Sequence, residues 1–153
     1  MSNNFEFRKL EAASLNAIAS WVYATGETLF MQPYFDCQSA NRPLRGPADC
    51  EGFAVYLNQQ LIGLFEFSFS DERMILGLAL SPLHVGKGLS SDFILAGIRF
   101  GIEHYDYRGS AVFLEVEKSN IAAVKAYTKV GFSLLDENGD SFTLAFSLDK
   151  MPG

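Results

Sequence analysis

Basic residues are in short supply. Twelve Lys and Arg stand against 18 Asp and Glu in 153 residues, a formal net charge of −6. A nucleic-acid groove needs a basic patch to neutralise phosphates, so this balance excludes a nucleic-acid partner. An acidic surface suits a cationic small molecule or peptide, and it also serves plain solubility. Cysteine is equally scarce, with Cys37 and Cys50 only. A single potential bridge in a chain of this size points to a reducing compartment, not a disulfide framework. No apolar run approaches the ~20 residues needed to cross a bilayer. The opening MSNNFEFRKLEAAS has neither the basic start nor the apolar centre of a secretory signal. A cytoplasmic protein with no membrane partner is expected. No G-x-x-x-x-G-K-[ST] is present, which removes the Walker class of nucleotide binders. Repeats, low-complexity tracts and metal-ligand spacings are also missing. What remains, 48% hydrophobic and 20% charged, is the composition of an ordinary globular chain. Its length suits one domain over residues 1–153.

The patterning gives an order of elements. Residues 5–8 alternate apolar and charged as a strand does. Over residues 11–23 the spacing of Leu15, Ile18, Ala19 and Val22 predicts a helix with one apolar face. Residues 27–35 read as a second short segment, helical or irregular, rich in aromatics. Trp21, Tyr23, Phe30, Met31, Tyr34 and Phe35 either pack the core or wall an acceptor pocket. Residues 38–49 carry prolines and a glycine without periodicity, and read as a loop that could act as a lid. Strands at 52–57 and 61–68 form a hairpin, and a second polar turn leads into the apolar strand 74–80. A helix follows from Ser90 to about residue 105, with Phe93, Gly97, Gly101 and Tyr105 four residues apart on one face. Then come a strand at 111–117, a short helix ending at Gly131, a strand at 132–135, a turn at 136–140 and a final alternating strand. The fold class is α+β, an α/β/α sandwich on a mixed, mostly antiparallel sheet of about seven strands, with one central parallel βαβ crossover.

Between strand 74–80 and the helix at Ser90 lies Val85-Gly86-Lys87-Gly88-Leu89-Ser90. A glycine loop that opens a helix is an anion site, because free backbone N–H groups and the positive helix end meet there. A pyrophosphate is the natural ligand. The loop falls one residue short of G-x-G-x-x-G/A, and a dinucleotide fold would place it in the first βα turn, so dinucleotide binding is disfavoured.

The segment after the crossover decides which pyrophosphate. Asn120, Ala123, Tyr127 and Gly131-Phe132 follow the strand with the spacing Asn-x-x-Ala-x-x-x-Tyr-x-x-x-Gly-Phe, which resembles the GNAT superfamily of N-acetyltransferases. The spacing is similar to that of the ribosomal-protein alanine acetyltransferases within it. The family's Gln/Arg-x-x-Gly-x-Gly/Ala loop falls on Val85, Gly88 and Ser90. Val85 and Ser90 depart from the pattern, and both are tolerable where backbone N–H groups do the binding.

By that resemblance the cofactor is acetyl-CoA and the reaction is transfer of its acetyl group to a primary amine by direct attack on the thioester. Gly86, Lys87, Gly88, Leu89 and Ser90, with Val85 before them, would cradle the pyrophosphate. Leu78, Ala79 and Leu80 would pair with the pantetheine arm, a backbone N–H near Leu80 would hold the oxyanion, and Asn120 would contact the arm. Tyr127 is the expected acid toward the thiolate, against the alternative of a core aromatic on its helix. Glu115 and Glu66 are the candidate bases, ahead of Glu72 and His84, and water could serve instead. Partners are an amine acceptor, small molecule or peptide N-terminus, and a second copy in a homodimer. The alternative reading is a non-catalytic GNAT-fold module that binds or senses acyl-CoA.

Overall fold

The computed structural model describes residues 4–152. Seven strands and four helices follow one another as β1 (Phe5–Lys9), α1 (Ala12–Ala19), α2 (Gln32–Ser39), β2 (Glu51–Leu57), β3 (Gln60–Ser70), β4 (Arg73–Leu80), α3 (Ser90–Tyr105), β5 (Ala111–Glu117), α4 (Ile121–Val130), β6 (Ser133–Asn138) and β7 (Ser141–Ser147). The strand order is β1-β2-β3-β4-β5-β7-β6. β4 and β5 pair in parallel, while β1–β2, β2–β3, β5–β7 and β6–β7 are antiparallel. The mixed seven-stranded α+β architecture expected above is the one found. Among the described residues no helix is long and apolar enough to cross a membrane.

The chain forms two compact units. One takes the residues up to Ser68 together with Leu78–Leu89, and the other takes Phe69–Gly77 with the residues from Ser90 on.

In the first unit, α1 starts at a reciprocal cap, in which the Glu11 N–H donates to Ser14 Oγ at 3.0 Å. The helix stops at Ala19, four residues before the expected end, and Val22 is exposed, not on the apolar face. Trp21, Val22 and Tyr23 are poor helix formers. The chain instead closes a turn through Gly26, whose φ of 86° is left-handed, with the Gly26 N–H donating to the Tyr23 carbonyl at 2.8 Å. The expected loop at 38–49 is shorter than predicted, since α2 runs to Ser39 and a 3-10 turn spans Pro47–Asp49. Leu15, Ile18, Met31, Tyr34, Ala54 and Leu64 bury one face of the β1–β3 meander. Its other face is aromatic: Phe53 meets Phe67 edge-on at 5.8 Å, and Phe65 stacks on Phe67 at 5.3 Å. Cys37 and Cys50 are both buried and free.

Two tight turns do without glycine. Asn58 and Gln59 join β2 to β3, and Asp71 and Glu72 join β3 to β4, each at φ between 51° and 65°. Positive φ at both central residues is what a two-residue hairpin turn needs to match strand twist.

In the second unit, α3 buries Phe93, Ile94, Gly97, Ile98 and Gly101. Val112, Leu114 and Val116 of β5 stand opposite Phe146, Leu144 and Phe142 of β7, all on one face. β6 is longer than the sequence suggests. It continues through Asp136 and Glu137 to Asn138, and only Gly139 and Asp140 make the turn. A register shift after Leu134 and an ion pair from Lys118 to Glu137 at 2.9 Å let an edge strand carry these acids.

Candidate active site

β4 brings Leu78, Ala79 and Leu80 to the glycine loop as half-buried residues. The peptide that joins Leu80 to Ser81 is fixed at both ends. The Tyr23 hydroxyl donates to the Leu80 carbonyl at 2.6 Å, and the Ser81 N–H donates to the Ile62 carbonyl at 2.8 Å. Burial pushes the Tyr23 phenol up to about 12, so it stays a donor at neutral pH. Tyr23 is one of the six residues, five aromatics and Met31, that the sequence leaves open between core and pocket, and sequence alone carries no signal for this bond. Of the other five, Met31 and Tyr34 are core, Trp21 and Phe35 pack at its edge, and Phe30 is exposed.

After Ser81 the chain makes successive turns to the start of α3 at Ser90. His84 is tied down, with its Nδ1 2.5 Å from Ser81 Oγ and its N–H donating to the Ser81 carbonyl at 2.9 Å. Val85, Gly86, Lys87 and Gly88 are exposed, and Leu89 and Ser90 are half-buried. Gly86 and Gly88 adopt φ of 77° and 76°, while Lys87 between them is not left-handed. Alternating handedness turns successive backbone N–H groups toward one concavity, the geometry that binds phosphate oxygens. A Cβ at either glycine would meet open space, so these positions need glycine for φ and not for room. The loop's chemistry fits a pyrophosphate.

In the second unit, Asn120 caps α4, its Oδ1 accepting from the Ala123 N–H at 3.2 Å. The helix closes on Gly131, where the Phe132 N–H donates to the Tyr127 carbonyl at 3.0 Å. That closure sets the Tyr127 ring against Phe132 at 5.8 Å, and Phe132 against Phe146 at 5.2 Å. Among the described residues the Tyr127 hydroxyl has no hydrogen-bond partner, yet it is not sealed from solvent. Burial of the ring raises its pKa to about 12.

Glu115 lies on the opposite face of β5 from Val112 and Leu114, hence opposite the face where Phe146 leads to Tyr127. It lines a cavity of about 440 Å³ with Asp71, Arg73, Phe113, Asp136 and Thr143. The parallel ladder pairs Met74, Ile75 and Leu76 with Val112, Phe113 and Leu114, while β5 continues along β7 to Glu117.

Glu66 has different company. Its Oε2 accepts from the Tyr34 hydroxyl at 2.6 Å, and Tyr34 also contacts Cys50 Sγ at 3.4 Å. Burial raises the Glu66 carboxyl above the usual range, against the hydrogen bonds from Tyr34 and Cys50 that pull it down. Burial and the Glu66 charge together push the Cys50 thiol up to about 12. Glu72 is an exposed turn residue. The two candidate bases therefore sit in separate surroundings, Glu115 in an open cavity and Glu66 in a hydrogen-bonded cluster.

Residues 15–132 match the model of the acetyltransferase (GNAT) family. The chain belongs to that family, and is accordingly an acyltransferase whose donor is acetyl-CoA. Its structure is similar to that of the N-acetyltransferase PseH of Campylobacter jejuni in complex with acetyl coenzyme A, with a TM-score of 0.70, 20% identity, and 95% of this chain and 99% of that one covered. It is also similar to the spermidine N-acetyltransferase of Vibrio cholerae solved with CoA and spermine, with a TM-score of 0.70, 21% identity, and 96% and 97% covered. At such identities the likeness shows the fold alone. No curated protein sequence matches the chain.

Proposed function

We propose that this enzyme moves the acetyl group of acetyl-CoA onto a primary amine by direct attack, with no covalent enzyme intermediate. When bound, acetyl-CoA supplies an acetyl group on a thioester and a thiol leaving group. The loop from Val85 to Ser90 would hold its pyrophosphate, with Lys87 adding a point charge. The backbone of Leu78, Ala79 and Leu80 would pair with the amide-bearing arm, and the Leu80 N–H would face the oxyanion. Asn120 would serve both as helix cap and as a contact to the arm.

The observation that carries the reading is the state of Tyr127. Its hydroxyl is unpartnered among the described residues, not sealed from solvent, and kept protonated by burial of the ring. Such a phenol is equipped to hand a proton to a departing thiolate. Glu115, on the other face of β5, would take the proton of the attacking amine, directly or through water. Glu115 and Tyr127 would thus serve the attacking amine and the leaving thiol from opposite faces of β5. A base is needed most for a lysine-like amine, which is neutral only about 0.04% of the time at pH 7, against roughly 14% for an α-amine. Glu66 is held by Tyr34 and is the lesser candidate.

The test is thiol release from acetyl-CoA across a panel of primary amines, secondary amines and alcohols. Release that depends on a primary amine, with the acetylated amine as product, is expected. Release with alcohols alone, or none with any amine, would overturn the proposal.

A further inference from the structure

The cavity around Glu115 contains a cation that acetyl transfer leaves without a task. Arg73 opens β4, and its guanidinium lies 4.7 Å over the Phe113 ring. Three carboxylates, Asp71, Glu115 and Asp136, line the same cavity. Arg8, Arg45 and Arg108 each hold a carboxylate, yet among the described residues Arg73 forms no ion pair. A cation–π contact takes no N–H donor of the guanidinium, so its rigid fork of donors stays available to a planar anion. Phe113 and Glu115 stand two residues apart on one face of β5, so their columns are about 6–7 Å apart. A free cationic fork and a carboxylate thus face one small space at short separation.

We infer that this cavity takes an acceptor whose reacting amine sits beside its own carboxylate, a free α-amino acid. This rests on the reading of Glu115 as the amine end of the site. The acceptor carboxylate lies in the Arg73 fork and the amine lies toward Glu115. Charge-assisted hydrogen bonds of about 2.8 Å at each end use most of the distance and leave room for a short link between the charged groups. A linear diamine offers the fork no anion and brings a second cation toward Arg73. A peptide N-terminus has an amide where the fork calls for a carboxylate. Arg73 is a binding residue in this scheme, and the acetyl-transfer step keeps the proton paths already assigned to Glu115 and Tyr127.

The test compares free L-amino acids with small, polar and aromatic side chains, their amides, and linear diamines, with acetyl-CoA in excess. For the wild type, kcat/KM for the best amino acid should exceed that for its amide by about tenfold or more, chiefly through KM, as expected for a lost charge-assisted pair. Arg73→Gln should erase that ratio. Arg73→Lys, which keeps the charge without the fork, should recover part of it. Equal turnover of acid and amide, a preference for diamines, or a ratio that survives Arg73→Gln would overturn the inference while leaving N-acetyl transfer intact. If no amine is acetylated, calorimetric binding of the same amino acids in the presence of CoA decides the matter. Binding lost in Arg73→Gln sustains the assignment, and absence of binding in the wild type overturns it.

Discussion

Replacing Tyr127 by Phe removes one oxygen and nothing else that the structure uses. The ring keeps its place against Phe132 at 5.8 Å, and no hydrogen bond is lost, because among the described residues the hydroxyl makes none. No buried group is left unsatisfied, so the change in folding stability should stay within about 0.5 kcal/mol. Affinity for CoA should hold within about twofold. The chemical step should suffer, because general-acid catalysis is worth about 10²–10⁴-fold, or roughly 2.7–5.4 kcal/mol of barrier. The assay is single-turnover thiol release at saturating acetyl-CoA and amine, beside a thermal melt and a calorimetric titration with CoA. A fall in rate of at least about a hundredfold, with the melt and the titration unmoved, is expected. An undiminished rate would remove Tyr127 from the acid role. A rate loss matched by a lower melting temperature would make the residue structural. The pH profile adds a second check. A phenol raised to about 12 stays protonated through neutral and mildly alkaline pH, so Tyr127 should put no falling limb in kcat below pH 10. A limb near pH 9 that vanishes in Tyr127→Phe would refute the burial reasoning.

Other outcomes follow from the same structure. Gly88→Ala forces an L-residue to φ of 76°, at a cost of about 1–2 kcal/mol. KM for acetyl-CoA should rise about fivefold or more in steady-state assays, with Gly88→Asn, which tolerates that conformation, milder. Gly52→Ala would set a Cβ 2.3 Å from the Tyr34 hydroxyl oxygen and 2.8 Å from Leu10 Cδ1, and should lose about 1–3 kcal/mol in urea unfolding. Glu66 has a raised pKa in the folded state, so its contribution is present in full below the unfolded pKa and is lost as pH rises through the folded value. Glu66→Gln keeps a partner for the Tyr34 hydroxyl without the charge, and should flatten the decline of melting temperature as pH rises above the ordinary carboxylate range; an unchanged slope would contradict that sign.

Much of this protein was legible in its residues. Period-two alternation in 111–117 and 141–147 and the Asn120–Tyr127–Gly131 spacing depend only on neighbours along the chain. Local geometry repeats with the sequence, so these elements came out close to their observed bounds: β5 as Ala111–Glu117, α4 as Ile121–Val130. The glycine loop could be read in the same way, because φ above zero is a demand that Gly86 and Gly88 meet by themselves. Helix and strand ends were harder. α1 stops at Ala19, where the Tyr23 hydroxyl bonds the Leu80 carbonyl 57 residues away, and β6 runs on through acids that only a neighbouring strand and Lys118 make tolerable.

The division for the site follows the same physics. Sequence alone pointed to the family and the donor and singled out Tyr127 as the candidate acid, since each reading rests on spacing within one strand–loop–helix stretch. Tertiary structure decided which partner each acid meets. Glu66 and Glu115 look alike in the sequence, but chain folding gives one to Tyr34 and Cys50 and leaves the other in an open cavity beside Arg73 and Phe113. A carboxylate's chemistry is set by what desolvates and hydrogen-bonds it, and those neighbours are distant in the chain.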